Sequence, residues 1–435
     1  MSTRTLIRGH LLDVPGNPFT DSVGLRSEPD GAILIDGDRI AARGAAPALL
    51  AAAPDAPVVD HRGSFILPGF IDTHVHFPQL PVIGSMGLPL LRWLAERTLP
   101  AEAALDTAES ASKAADRFLR MLAKNGTTSA LVFGSHIPIA QNAFFERAAA
   151  SGMRIVSGLS LGDRELPDAL IRTADECYRE SESLIARWHG SGLLRYAVTP
   201  RFSVSCSEAV LDACGALTKR YPGVMVQTHI NENRDEIALV RRQFPWARDY
   251  FDTYERAGLT GATAVFAHNL HPTSDELSRM AEAGVRVAHC PSSNNFLGSG
   301  SFPMARHRKS GIAFSVACDV GGGTGFSLLK EALAAYEMQM QRDDGVALTP
   351  TTLLYLITSA GAELLGMQDQ TGDLSPGKQA DLVVLRAPEG SSLQAVLAHH
   401  TQDAQQQLGA MITLAREESI RETWVAGRRI YPDAG

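Results

Sequence analysis

Along residues 65–320 of the 435-residue chain, short apolar runs alternate with longer amphipathic stretches. Eight runs stand out: 65–76 (FILPGFIDTHVH), 127–133 (TTSALVF), 154–161 (RIVSGLSL), 194–202 (LRYAVTPRF), 224–230 (VMVQTHI), 262–270 (ATAVFAHNL), 285–291 (VRVAHCP) and 313–320 (AFSVACDV). Their length and β-type residues fit strands. The intervals read as helices. SEAVLDACGALTKRY carries apolar residues three and four apart, Thr273 and Glu276 have the spacing of a capping box, and 328–340 supports a helix after the eighth run. Strands alternating with helices imply parallel sheet, and eight such units imply a closed barrel.

The two ends carry a different pattern. GAILIDGDRIAARG has apolar runs on either side of Asp36-Gly37-Asp38, a hairpin signal. Near the C-terminus, QADLVVLRA and ETWVAGRRIY are short β-type runs, the second broken at Ala426-Gly427. The Ala-rich stretch 45–53 reads as a short helix or loop. A barrel of about 250 residues leaves a remainder, and the two β-rich ends can fill it by pairing with each other. The expected architecture is α/β: a (β/α)₈ TIM-like barrel at 67–372, with a small β-sandwich built from residues 1–66 and 373–435.

Composition narrows the function class. With 40 Lys+Arg against 48 Asp+Glu, the net charge is −8, and no Lys/Arg-rich block appears. That disfavours nucleic acid as a partner. The hydrophobic fraction of 45% excludes wholesale disorder. Five scattered Cys form no CxxC pair, so neither a disulfide framework nor a zinc knuckle is indicated. The start, MSTRTLIRGHLLDV, lacks a signal-peptide core, and no run has membrane-spanning length. The expectation is a soluble, cytoplasmic protein with no membrane partner.

In a barrel of this kind the chemistry sits at the C-terminal ends of the strands. Those ends here read His74 and His76, Arg201, His229, His268, His289 and Asp319. In an extended segment His74 and His76 face the same side, so both imidazoles can reach one ion. One HxH triplet is weak by itself. Its recurrence with His229, His268 and Asp319 at corresponding ends makes a metal-ligand set of His and carboxylate, suited to Zn²⁺ with a position left for water, or to Fe²⁺. His289 reads instead as a hydrogen-bonded strand-end residue or one that supports the ligands from behind, and His136 as pocket wall or loop. Strand four contains no Lys to bridge a second ion, so one metal is expected. No GxGxxG follows the first strand, and Gly321–Gly325 lacks the ending of a P-loop and reads as a close-packed turn. The H-x-E with P-C-x-x-C signature of the small zinc deaminases is absent.

Several segments resemble the amidohydrolase superfamily: PGFIDTHVH, the His residues of strands five and six, the Asp of strand eight and SPGKQADLVVL. THVHFPQ, VTPRFSVSCSE, QTHINENRDE, HCPSSNNFLGSG and CDVGGGTGFSLL look, within it, like the guanine deaminases, with HINEN where HISEN or HLSEN is usual. The resemblance runs from about Ile66 to the C-terminus. It implies the barrel and sandwich read above, a homodimer, and hydrolysis of guanine to xanthine and ammonia. It implies one Zn²⁺ held by His74, His76, His229 and Asp319, with His268 beside the metal-bound water. Asp319 and His268 would handle the water, and Glu232 would be the acid/base residue, with Asp235 and Glu236 as rivals. Gln79, Arg201 and Phe202 would contact the purine, together with the inward groups of His76, His229, Glu232, His268 and Asp319. Trp93 and Phe77 are candidates to close the pocket. The alternatives are a barrel aminohydrolase for another ring (8-oxoguanine, a pterin, cytosine or a triazine) or a non-catalytic dimeric scaffold.

Overall fold

The computed structural model describes residues 4–432; the outermost residues of both terminal pieces lie outside that range. Two sheets organise the chain. The first is built from β1 (Arg4–Asp13), β2 (Arg26–Asp36), β3 (Arg39–Ala45) and β4 (Val58–Pro68). The C-terminal strands β14 (Leu382–Leu385), β15 (Ile420–Val425) and β16 (Arg428–Tyr431) complete it. The order is β16-β15-β14-β4-β1-β2-β3, so the two chain ends meet where β14 pairs antiparallel with β4. The hairpin expected at Asp36-Gly37-Asp38 forms, and the break at Ala426-Gly427 is a second one. β2 turns into β3 through Gly37, which takes a φ of 65°, and β15 turns into β16 through Ala426 and Gly427, with φ of 48° and 73°. Such left-handed values suit two-residue hairpin loops.

The second sheet is the barrel: β5 (Phe70–His76), β6 (Thr127–Phe133), β7 (Arg154–Gly158), β9 (Leu194–Pro200), β10 (Met225–Ile230), β11 (Ala264–His268), β12 (Arg286–His289) and β13 (Phe314–Val316). The short β8 (Ser160–Leu161) extends the third unit by pairing with β9. Neighbouring strands are parallel throughout. The seam between last and first strands is closed by Asp319 N–H donating to His74 O at 2.8 Å and by Thr73 and Ser315 hydroxyls at 2.7 Å.

Each barrel strand is buried on both faces, as parallel sheet requires. One inner layer takes Ile71, Leu131, Val156, Ala197, Met225, Val265, Ala288 and Ala317, one from each unit, and packs on Ala362, Leu364, Leu365 and Met367. That plug fills the barrel interior and closes the N-terminal end. The Thr273–Glu276 capping box is present at the start of the helix Ser274–Ala283.

Two boundaries differ from the sequence reading. The run 65–76 is two strands: 65–68 belong to β4 and only 70–76 to the barrel. Gly69 divides them because a Cβ there would meet the Thr128 side chain at 2.2 Å. The eighth strand ends at Val316, so Asp319 lies in the turn beyond it.

Candidate active site

The ends of β5, β10, β11 and β13 converge on one buried centre. The Nε2 atoms of His74 and His76 are 3.2 Å apart, and those of His76 and His229 are 3.3 Å apart. Asp319 Oδ1 lies 3.3 Å from His74 Nε2 and 3.2 Å from His76 Nε2. Donors arranged tetrahedrally at about 2.0–2.1 Å from a zinc ion sit about 3.3–3.4 Å apart. Four of the six pairwise spacings in the set therefore match those of a metal shell. Burial lowers the pKa of all three rings, His76 to about 3, so they are neutral and keep their lone pairs. Burial alone would raise Asp319, but the His74 and His76 rings against its Oδ1 hold its carboxyl well below the usual range. His229 Nδ1 lies 2.6 Å from Arg201 O, which fixes the proton on Nδ1 and turns Nε2 inward.

A second grouping of donors joins His74, His268 and Asp319 with Cys290. Burial pushes the Cys290 thiol well up, and its Sγ lies 3.7 Å from Ala288 O. The three histidines with Asp319, joined by contacts of 3.2–3.3 Å, make the tighter shell. His268 stands just outside it. Its Nδ1 is 2.9 Å from Asn294 Oδ1, and its Nε2 is 3.6 Å from Glu232 Oε2 and 3.8 Å from Asp319 Oδ2.

Backbone strain concentrates here. Asn231, His268, Asn269 and Asp319 are four of the six described non-glycine residues with positive φ. Such conformations persist only where surrounding contacts impose them. Asn231 Nδ2 donates to Asn269 Oδ1 at 3.1 Å and to Glu276 Oε1 at 3.2 Å, tying the ends of β10 and β11 together. The turn at Asn231 directs Glu232 into the pocket before the helix Arg234–Gln243 begins.

A narrow pocket opens over this centre. Its lining includes His76, Gln79, Arg201, Phe202, His229, Glu232, His268 and Asp319, together with Leu90, Trp93, Leu94 and Leu297. All eight residues expected to meet a substrate thus face one cavity. Trp93 is there too, whereas Phe77 stacks on Phe144 in the core. Glu232 is buried and its pKa is raised well above the usual value, first by desolvation and then by Asp319. Its Oε1 accepts from Ser299 Oγ at 3.4 Å. Glu236 points away, accepting from the Glu232 and Asn233 N–H groups and from Tyr250 Oη. Asp235 is exposed on the first turn of the helix.

The sequence reading missed Glu102 and Asn294. Glu102 accepts from Gln79 Nε2 at 2.8 Å and from Arg201 Nη1 at 2.7 Å. Asn294 is the partner of His268 Nδ1. His136, expected as pocket wall or loop, lies in the loop after β6 and stands behind Arg201, with its Nε2 at 3.1 Å from Nη1. His289 packs on Phe302.

Residues 65–430 match the family described as "Amidohydrolase family". The chain belongs to the amidohydrolase family. Among amidohydrolases similar to it, a probable guanine deaminase of Deinococcus radiodurans is 50% identical over 98% of each chain. The solved structure of Escherichia coli guanine deaminase is 37% identical, with a TM-score of 0.94, covering 99% of this chain and all of that one. A guanine deaminase of C. acetobutylicum, solved with guanine bound in the active site, is 27% identical with a TM-score of 0.90, covering 98% and 100%. The family depends on metal, and the donor spacing described above fits one.

Proposed function

We propose that the chain is a guanine deaminase, converting guanine and water to xanthine and ammonia in purine catabolism. One observation carries this reading: a buried carboxyl at Glu232, its pKa raised by desolvation, faces a metal-donor set in a pocket that also presents Arg201 and Gln79. The likeness to guanine deaminases over almost the whole chain supports it.

In this reading His74, His76, His229 and Asp319 hold one divalent ion, Zn²⁺ or Fe²⁺. When bound, such an ion supplies a water-derived nucleophile at neutral pH. Asp319 Oδ2, on the side of His268, takes the proton of the attacking water. His268 is fixed by Asn294 and stabilises charge that develops at the attacked carbon. Glu232 acts as the acid: it gives a proton to ring N3 as C2 is attacked, then passes the proton received by Asp319 to the departing amine, and regains its own from the C2 hydroxyl as the carbonyl of xanthine forms. Arg201 keeps Nε and Nη2 free of protein hydrogen bonds and turns this planar edge to O6 and N7. Phe202, Leu90 and Trp93 exclude water around the ring. A neutral purine needs no steering field, which agrees with the modest net charge. The chain is further read as a cytoplasmic homodimer; among the described residues no helix is long and apolar enough to cross a membrane.

The test is an ammonia-release screen over guanine, 8-oxoguanine, adenine, cytosine and pterin with metal-loaded protein. Guanine should be the preferred ring. Release from another ring with none from guanine would refute the assignment.

A further inference from the structure

Glu102 lies on the short helix Leu99–Ala103, which follows a π-helical turn at Leu94–Thr98. Its carboxylate is buried and is shared between two pocket residues. Oε1 accepts from Gln79 Nε2 at 2.8 Å, and Oε2 accepts from Arg201 Nη1 at 2.7 Å. His136 completes the set, with Nε2 at 3.1 Å from the same Nη1, and burial keeps that ring neutral. Gly321 makes room for the Gln79 amide, since a Cβ there would meet Oε1 at 2.2 Å.

This arrangement has a directional consequence. A carboxylate only accepts, so Glu102 forces Gln79 to turn its NH₂ group away from the purine site and to keep Oε1 as its unpaired atom. Among the side-chain oxygens lining the pocket, those of Glu232 and Asp319 are committed to proton transfer. Gln79 Oε1 is the remaining acceptor. Of the two ring neighbours of C2 in guanine, N3 is taken by Glu232, and N1–H needs an acceptor.

We propose that Glu102 is a positioning residue for substrate choice: it sets the amide orientation of Gln79, and through it the preference for a purine with a proton on N1. The proposal rests on the guanine-deaminase reading. The logic makes Glu102→Gln an inverting change. Arg201 can only donate, so the new amide must turn its oxygen to Arg201 and its NH₂ to Gln79. Gln79 must then flip and offer Nε2 to the pocket. The double variant Gln79→Glu with Glu102→Gln restores an acceptor, because a carboxylate at 79 can take the amide N–H with one oxygen and face the substrate with the other.

The experiment compares kcat/KM for guanine with that for 2-aminopurine, which bears the same C2 amine but lacks O6 and carries a lone pair at N1. Wild type, Glu102→Gln, Gln79→Glu and the double variant are assayed, with metal content measured for each. Glu102→Gln should lower the guanine to 2-aminopurine ratio by about 10-fold or more, at unchanged metal content. The double variant should regain much of that ratio, and it should exceed Gln79→Glu alone, which sets two carboxylates against each other. A ratio unchanged by Glu102→Gln, or a double variant no better than either single one, overturns the proposal. If Glu102→Gln does not fold, the comparison of Gln79→Glu with the double variant decides. Wild-type protein inert on guanine would instead refute the guanine-deaminase reading itself.

Discussion

Glu232 and Asp319 are both buried carboxyl groups in one pocket, yet their environments drive them apart. Asp319, set against the His74 and His76 rings, is held well below its usual value, whereas Glu232, desolvated by burial and facing Asp319, is raised well above its own. Two acids pushed in opposite directions supply a base and an acid within one site. Glu232→Gln should therefore keep about one metal ion per chain while kcat falls about 10²–10⁴-fold, the usual scale of general acid/base catalysis. Single-turnover rates with metal analysis check this, and a variant with near-normal kcat would remove Glu232 from the acid/base role. The histidines were legible in the sequence because same-side alternation in a strand needs only local geometry. Glu102 and Asn294 were not, since nothing in LPAEAA or PSSNNF marks a partner 99 or 26 residues away.

Between elements, Glu331 shows how a buried acid joins two helices. It stands on the helix Leu328–Met340 and accepts from Ser292 N–H at 3.0 Å, at the start of the helix Pro291–Phe296. Burial raises its pKa from an ordinary 4.5 to about 8. The folded state thus holds a proton that the unfolded chain releases above pH 4.5. The stability linked to this proton is fully present below 4.5 and is lost as pH rises through about 8. One proton is worth up to about 1.4 kcal/mol per pH unit. Glu331→Gln should flatten that decline: between pH 5 and 8 its urea midpoint should fall less than that of the parent. Parallel curves would show that Glu331 does not titrate in this range. The helix itself was read from its apolar spacing, but its buried acid looks like any exposed Glu until the neighbouring helix is in place.

For the whole molecule, the joint between barrel and terminal sheet includes a buried ion pair. Arg154, at the start of β7, donates to Asp381 Oδ2 at 3.1 Å and to Gln379 Oε1 at 2.8 Å. Asp381 also accepts from Ala426 N–H through Oδ1 at 2.7 Å, and its carbonyl accepts from Gly69 N–H at 3.0 Å. Removing one partner of a buried pair strands the other charge, at a cost of about 3–5 kcal/mol. Arg154→Met should lower the unfolding midpoint by that amount. The pair lies at the strand ends opposite the pocket, so kcat at low temperature should stay within about 2-fold. Denaturant titration and steady-state rates measure both, and an unchanged midpoint would show that the pair contributes nothing net.

The sequence by itself determined the element types and much of the chemistry. Period-two and period-3.6 patterns are local, hairpin turns at Asp36-Gly37-Asp38 and Ala426-Gly427 are local, and the His and Asp residues sit at the ends of recognisable apolar runs. The order β14 beside β4, the division at Gly69, the turn that carries Asp319 past β13, and the link from Glu102 to Gln79 and Arg201 were decided only in the tertiary structure. Each depends on atoms far apart in the chain meeting in a close-packed interior, where volume and hydrogen-bond partners are set by neighbours that no local pattern specifies.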